Sequence, residues 1–71
     1  MSLQPAAKTD ADIPADAMEN ARKLRRTFPY RMTYVAFDPK LNDWVWDSVF
    51  TKHKPAAIVR RGGTVFYLWS E

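Results

Sequence analysis

The stretch Arg60-Arg61-Gly62-Gly63-Thr64-Val65-Phe66-Tyr67-Leu68-Trp69 decides how this chain is read. Glycine adopts positive φ without steric cost, so a Gly-Gly pair between two apolar runs signals a two-residue hairpin loop. On that reading Ala57 to Arg61 is one strand and Thr64 to Trp69 the next. Arg61 then faces Thr64, Arg60 faces Val65, Val59 faces Phe66 and Ile58 faces Tyr67. Side chains alternate between the two sides of a sheet. One face therefore receives Ala57, Val59, Phe66 and Leu68, and the other receives Ile58, Arg60, Val65, Tyr67 and Trp69.

Working outward, Trp44 to Thr51 also reads as a strand, with Trp44, Trp46, Ser48 and Phe50 alternating against Val45, Asp47, Val49 and Thr51. Tyr30 to Phe37 is rich in aromatic and β-branched residues and reads as the strand before it. Between them, Asp38-Pro39-Lys40-Leu41-Asn42-Asp43 is turn chemistry. Lys52-His53-Lys54-Pro55 is expected to break the chain before the last pair of strands.

Upstream the period changes to that of a helix. Asp12 is a candidate N-cap, and Pro14 suits the first turn, where its missing N–H costs nothing. Ala17, Ala21, Leu24 and Phe28 recur at helical spacing, Met18 widens the stripe, and Pro29 stops it. Asp16 and Glu19 lie early and the arginine cluster late, which suits the helix dipole. A stripe made largely of alanine lets the helix approach a sheet closely but covers little of it. Residues 1–12 hold little to bury and are expected to form a flexible N-terminal arm. The expectation is an α+β fold in a single small domain over residues 13–71. One N-terminal helix packs on a three- to four-stranded antiparallel β-meander.

A chain of 71 residues has a small core, and its stability needs support from a disulfide, a metal or another chain. Cysteine is absent and His53 is the only histidine, so disulfides, thiolate chemistry and a zinc site are not expected. Association is the remaining support. No apolar run has the length of a membrane span and no charged-then-apolar leader is evident, so the expectation is a cytoplasmic protein with no membrane partner.

The net charge of +3 is laid out unevenly. Arg22, Lys23, Arg25, Arg26 and Arg31 form one basic island, and Lys52, Lys54, Arg60 and Arg61 a second, separated by Asp38, Asp43 and Asp47. The first suits phosphate contact, since lysine and arginine neutralise backbone charge and release counterions. It equally suits a solvated helix end.

Every aromatic lies between Phe28 and Trp69. A single short helix leaves one sheet face uncovered. Trp44, Trp46, Arg60, Tyr67 and Trp69 are therefore the candidate partner-binding residues, of the types that dominate protein interfaces. The same aromatics also suit stacking on unpaired bases.

Other chemistries fit poorly. Arg61-Gly62-Gly63-Thr64 lacks the downstream Gly-Lys-Ser/Thr of a phosphate-cradling loop. His53 has no nucleophile or orienting acid at a recognisable spacing, and the three aspartates do not match a calcium loop. No enzyme activity, cofactor or small-molecule substrate is expected. The expected function is a non-catalytic binding module acting through protein association on an aromatic sheet face. It would be a homodimer, or an accessory or inhibitor subunit on a larger partner. The alternative is a nucleic-acid-binding protein using Arg22, Lys23, Arg25, Arg26, Arg60 and Arg61.

Overall fold

The computed structural model describes residues 8–68. A 3-10 turn at Asp10–Asp12 precedes helix α1 (Ala15–Thr27), strands β1 (Met32–Asp38) and β2 (Asp43–Val49), helix α2 (His53–Arg60) and strand β3 (Thr64–Tyr67). The strands form one antiparallel sheet in the order β2-β1-β3. The expected class holds: an α+β fold with an N-terminal helix packed on a meander-like antiparallel sheet.

Helix α1 starts later than its acidic residues suggest. Pro14 is the N-cap, in extended conformation. Asp12 instead closes the preceding 3-10 turn, its Oδ2 accepting the Thr9 amide at 2.7 Å and the Thr9 hydroxyl at 3.2 Å. That turn lies within the segment expected to be an arm, and the remainder of the arm, residues 1–7, lies outside the described residues. At the other end the Phe28 amide donates to the Leu24 carbonyl at 2.8 Å, and Pro29 prevents continuation. Ala17 and Ala21 are fully buried against Val35, with Ile13, Trp44 and Leu68 around them. Small side chains at both contact positions bring the helix close to the strand.

The β1–β2 hairpin turns as expected, although β1 begins two residues later and β2 ends two residues earlier than their aromatic composition suggests. Tyr30, Phe50 and Thr51 lie outside them. In the turn, Asp38 Oδ1 accepts the Lys40 amide at 3.0 Å, and Asn42 takes a left-handed φ of 52°, a region asparagine tolerates.

The C-terminal third differs. Ala57 to Arg61 is not a strand but the body and end of α2. Pro55 falls in the helix's first turn, where no intrahelical partner for its N–H is needed. Gly62-Gly63 is accordingly not a hairpin tip but a helix stop. The Gly62 amide donates to Val59 O at 2.9 Å and the Gly63 amide to Ile58 O at 2.8 Å. Together they form the paired bonds of a Schellman motif. Gly62 supplies the required positive φ of 90°. Gly63 is needed for space, since a Cβ there would lie 2.5 Å from both Ile58 Cγ2 and the Phe37 carbonyl oxygen.

Strand β3 then pairs with β1, placing Tyr67 opposite Tyr34, Phe66 opposite Val35 and Val65 opposite Ala36. The division of β3 between two faces survives the change of partner. Leu68 joins the cluster under α1, while Val65 and Tyr67 join Tyr34, Ala36 and Ile58. Consecutive β1 residues point to opposite faces, so α1 lies on the Val35 side and α2 on the Tyr34 side. The face expected to be bare is covered by α2.

Candidate functional site

Helix α2 is held to the sheet at both ends. Arg61 donates to buried Asp38 at the end of β1, and Lys54 pairs with Asp47 on β2. The Arg61 hydrogen bonds hold the Asp38 carboxyl below its ordinary range, against burial, which opposes them. At Asp47, burial pushes the carboxyl up. The Lys54 hydrogen bond and the Ser48 amide outweigh it, and the result lies below the ordinary range. Burial raises the Tyr34 phenol, and the Asp47 charge adds to the effect. Between the two ion pairs runs an open groove floored by Tyr34, Val45 and Ile58 and rimmed by Leu41 and Trp46.

The expected site residues are dispersed by this arrangement. Trp44 is half-buried under α1, 5.6 Å edge-to-face from Phe37 and 6.2 Å from Phe66 between ring centroids. Trp46 lies opposite Val35 on the same face and is 36% exposed. Tyr67 is half-buried on the other face, packed edge-on to Tyr34, with Lys52 Nζ 5.5 Å from its ring. Arg60 is exposed at the end of α2. Trp69 lies outside the described residues. No single face collects the four of these residues that are described.

The basic islands also separate. Arg22, Lys23, Arg25 and Arg26 belong to α1, and Arg60 and Arg61 to the end of α2 on the opposite side of the sheet. Arg61 is committed to Asp38, and Lys23 lies 4.0 Å from Glu19. Arg22, Arg25 and Arg26 remain together and line an open concavity with Pro29.

The edges of the sheet are unequal. The Leu68 amide donates to Thr33 O at 3.0 Å, which fixes the direction of every backbone group in the antiparallel ladder. Thr33, Val35 and Phe37 address β3, and Tyr34, Ala36 and Asp38 address β2. The outward amides of β2 are consequently those of Trp44, Trp46 and Ser48. Two are already occupied: Trp44 N donates to Asp43 Oδ1 and Ser48 N to Asp47 Oδ1, each at 2.8 Å. On β3 the outward groups belong to Val65 and Tyr67, and no strand among the described residues pairs with that side.

A feature that the periodicity concealed lies at the end of α1. Tyr30 and Phe50 flank the sheet, 71% and 66% exposed, with ring centroids 6.2 Å apart and planes inclined by 24°. Arg31 is packed between Phe28 and Phe50, its guanidinium carbon 4.2 and 4.6 Å from their ring centroids. Its Nε is buried without a hydrogen-bond partner. The aromatic runs place Tyr30 and Phe50 inside strands. The signal that they are not is Pro29 before one and the Thr51-Lys52-His53-Lys54 run after the other.

Among the described residues no three His, Asp or Glu side chains converge as metal ligands, and no helix is long and apolar enough to cross a membrane. No protein-family model, curated protein or solved structure matches the chain.

Proposed function

We propose that the chain is a non-catalytic binding module acting through protein association, and that its assembly is a pair of identical chains joined along β3. The asymmetry of the two sheet edges carries this reading. An open edge is a template for another strand, and proteins that remain separate blunt it with charge. Edge β2 carries Asp43 and Asp47, whose carboxylates occupy two outward amides. Edge β3, Thr64-Val65-Phe66-Tyr67, carries no charge at all.

Its geometry is self-complementary. A two-fold axis at Phe66 sets Val65 opposite Tyr67 of the second copy and Tyr67 opposite its Val65, so the outward amides and carbonyls satisfy one another. Phe66 then lies beside its counterpart, and aromatic cross-strand pairs of this kind are favourable. Two three-stranded sheets become one of six strands. The interface is closed, as in most homo-oligomers, and it supports a chain too small for a large core. The association surface is thus an edge rather than the aromatic face anticipated from sequence.

Sedimentation equilibrium of the full chain tests the reading. The dimer mass is expected for the parent. Val65→Pro, which deletes an outward amide at an edge position where proline is tolerated, is expected to give monomers. Val65→Ala, which trims the side chain but keeps the amide, retains the dimer. A parent chain that stays monomeric at all concentrations, or a Val65→Pro variant that stays dimeric, overturns it.

A further inference from the structure

We infer that the end of the molecule formed by Arg22, Arg25, Arg26, Pro29, Tyr30 and Phe50 binds single-stranded nucleic acid, with phosphates in the arginine concavity and a base stacked on the exposed rings. Three independent features meet there. The first is charge. Among the described residues neither Arg25 nor Arg26 has an ion-pair partner, and with Arg22 they face one concavity. The helix terminus beneath them contributes a partial negative charge of about one half. The two full positive charges of Arg25 and Arg26 already exceed what is needed to complement it.

The second feature is the pair of rings. Large aromatic surface left in water is informative where it is contiguous, and Tyr30 and Phe50 join theirs in one stacked pair. The Arg31 guanidinium carbon lies 4.6 Å from the Phe50 centroid and 6.0 Å from that of Tyr30, so a ligand meets the ring surface that this cluster leaves exposed.

The third is continuity. Pro29 lines the concavity and Tyr30 is the next residue, so their Cα atoms are about 3.8 Å apart. The arginine concavity and the ring pair therefore meet at Pro29 and Tyr30. Arg31 adds a fixed cation whose Nε edge is stripped of water, where its field is less screened than at the surface.

Basic side chains tracking a backbone beside aromatic stacking platforms are the combination that single strands require. A duplex buries its base faces in its own stack and has no use for the rings. A protein ligand attracted by the arginines would be acidic, and it makes no particular demand on two stacked rings.

Fluorescence anisotropy with labelled oligothymidylate, oligouridylate and a duplex of equal length tests this, with circular dichroism on every variant. Both single strands are expected to bind more tightly than the duplex, and their ratio tells DNA from RNA. With two phosphates neutralised by Arg25 and Arg26, log K falls against log salt with a slope of about −1.4. Arg22→Ala/Arg25→Ala/Arg26→Ala flattens that slope. Tyr30→Ala/Phe50→Ala weakens binding roughly 5- to 150-fold for one stacked base and leaves the slope in place. If Phe50→Ala disturbs Arg31, Tyr30→Ala alone still gives a several-fold loss. Any of four results overturns the inference: no binding by the folded parent at low salt, equal affinity for the duplex, parent-like binding by folded Tyr30→Ala/Phe50→Ala, or displacement of the probe by oligoglutamate of equal charge. Val65→Pro leaves this binding unchanged, because β3 is not part of the site.

Discussion

Arg61, the residue that closes α2, donates Nη2 to Asp38 Oδ2 at 2.7 Å and Nε to Asp38 Oδ1 at 3.3 Å. This two-point contact ties the end of a helix to the end of the central strand. With Lys54 and Asp47 at the other end, it explains how α2 tolerates an unfavourable sequence. Lys52 and Lys54 place positive charge at the helix N-terminus, against its dipole. The Asp47 carboxylate neutralises part of that charge while anchoring the helix.

Stability should therefore depend on acid. Both clamp carboxylates titrate below their ordinary value of 3.8. A depressed folded-state pKa means that the stabilisation is present above the unfolded value and is lost as pH falls through the folded one. Asp38→Asn should melt below the parent at neutral pH. The gap should begin to narrow as the pH falls through about 3.8 and should close only at the still lower pH where the folded Asp38 carboxyl takes up its proton. A gap that persists in strong acid would show that the Asp38 contact is not ionic.

The two glycines of the helix stop do different things and should fail differently. Gly62→Ala forces a Cβ into the left-handed region in open space, at a cost of roughly 1–2 kcal/mol. Gly63→Ala drives a Cβ into the Phe37 carbonyl and Ile58, and overpacking of this sort typically costs about 1–3 kcal/mol or more. Gly62→Asn should recover part of the first loss, and no polar substitution should recover the second. Urea melts of the three variants separate a Schellman stop from a hairpin tip, where both positions would behave alike.

How much of this was legible in the sequence follows from which signals were local. Ala17 and Ala21 at helical spacing, Pro29 after the helix and the Asp38-to-Asp43 turn each act within a few residues, and each was readable. The alternation of β3 was readable too, since it depends only on the pleat. The secondary structure of residues 53–60 was not. Its eight residues lack a side-chain N-cap, carry Lys54 in the first turn and contain β-branched Ile58 and Val59. Only tertiary contacts make it a helix: the Asp47 and Asp38 clamps and the burial of Pro55 and Ile58. Gly-Gly serves a hairpin or a helix stop equally well, and the deciding partner, β1, is distant in sequence. The candidate site moved for the same reason. Once α2 covers the Tyr34 face, Tyr67 packs inside it, and among the described residues the most exposed rings are Tyr30 and Phe50.

Close approach of α1 makes another prediction. Ala21 is fully buried against Val35, so Ala21→Leu has nowhere to put three further carbons. It should cost about 1–3 kcal/mol, with a fall in Tm of roughly 4–8 °C per kcal/mol for a domain this small. Leu24→Ala, at a half-buried position, should cost less than removal of a fully buried leucine. If thermal melts show Ala21→Leu to be harmless, the helix does not seat on Val35 as described.

Finally, the acids on β2 should be what keeps that edge closed. Asp43→Ala with Asp47→Ala releases the outward amides of Trp44 and Ser48 and removes the charges that would oppose each other in a β2–β2 pairing. Loss of the solvent-accessible Lys54 contact should itself cost no more than about 1 kcal/mol, so the fold is expected to persist. With both edges open, chains can join β3 to β3 and β2 to β2 in alternation, and nothing limits the assembly to two. Sedimentation velocity should then show species that grow with concentration beyond the dimer. Adding Val65→Pro to the same background should cap them at two, now joined through β2. A double alanine variant that keeps the parent's mass at every concentration would mean that Asp43 and Asp47 hold their own amides without guarding the edge.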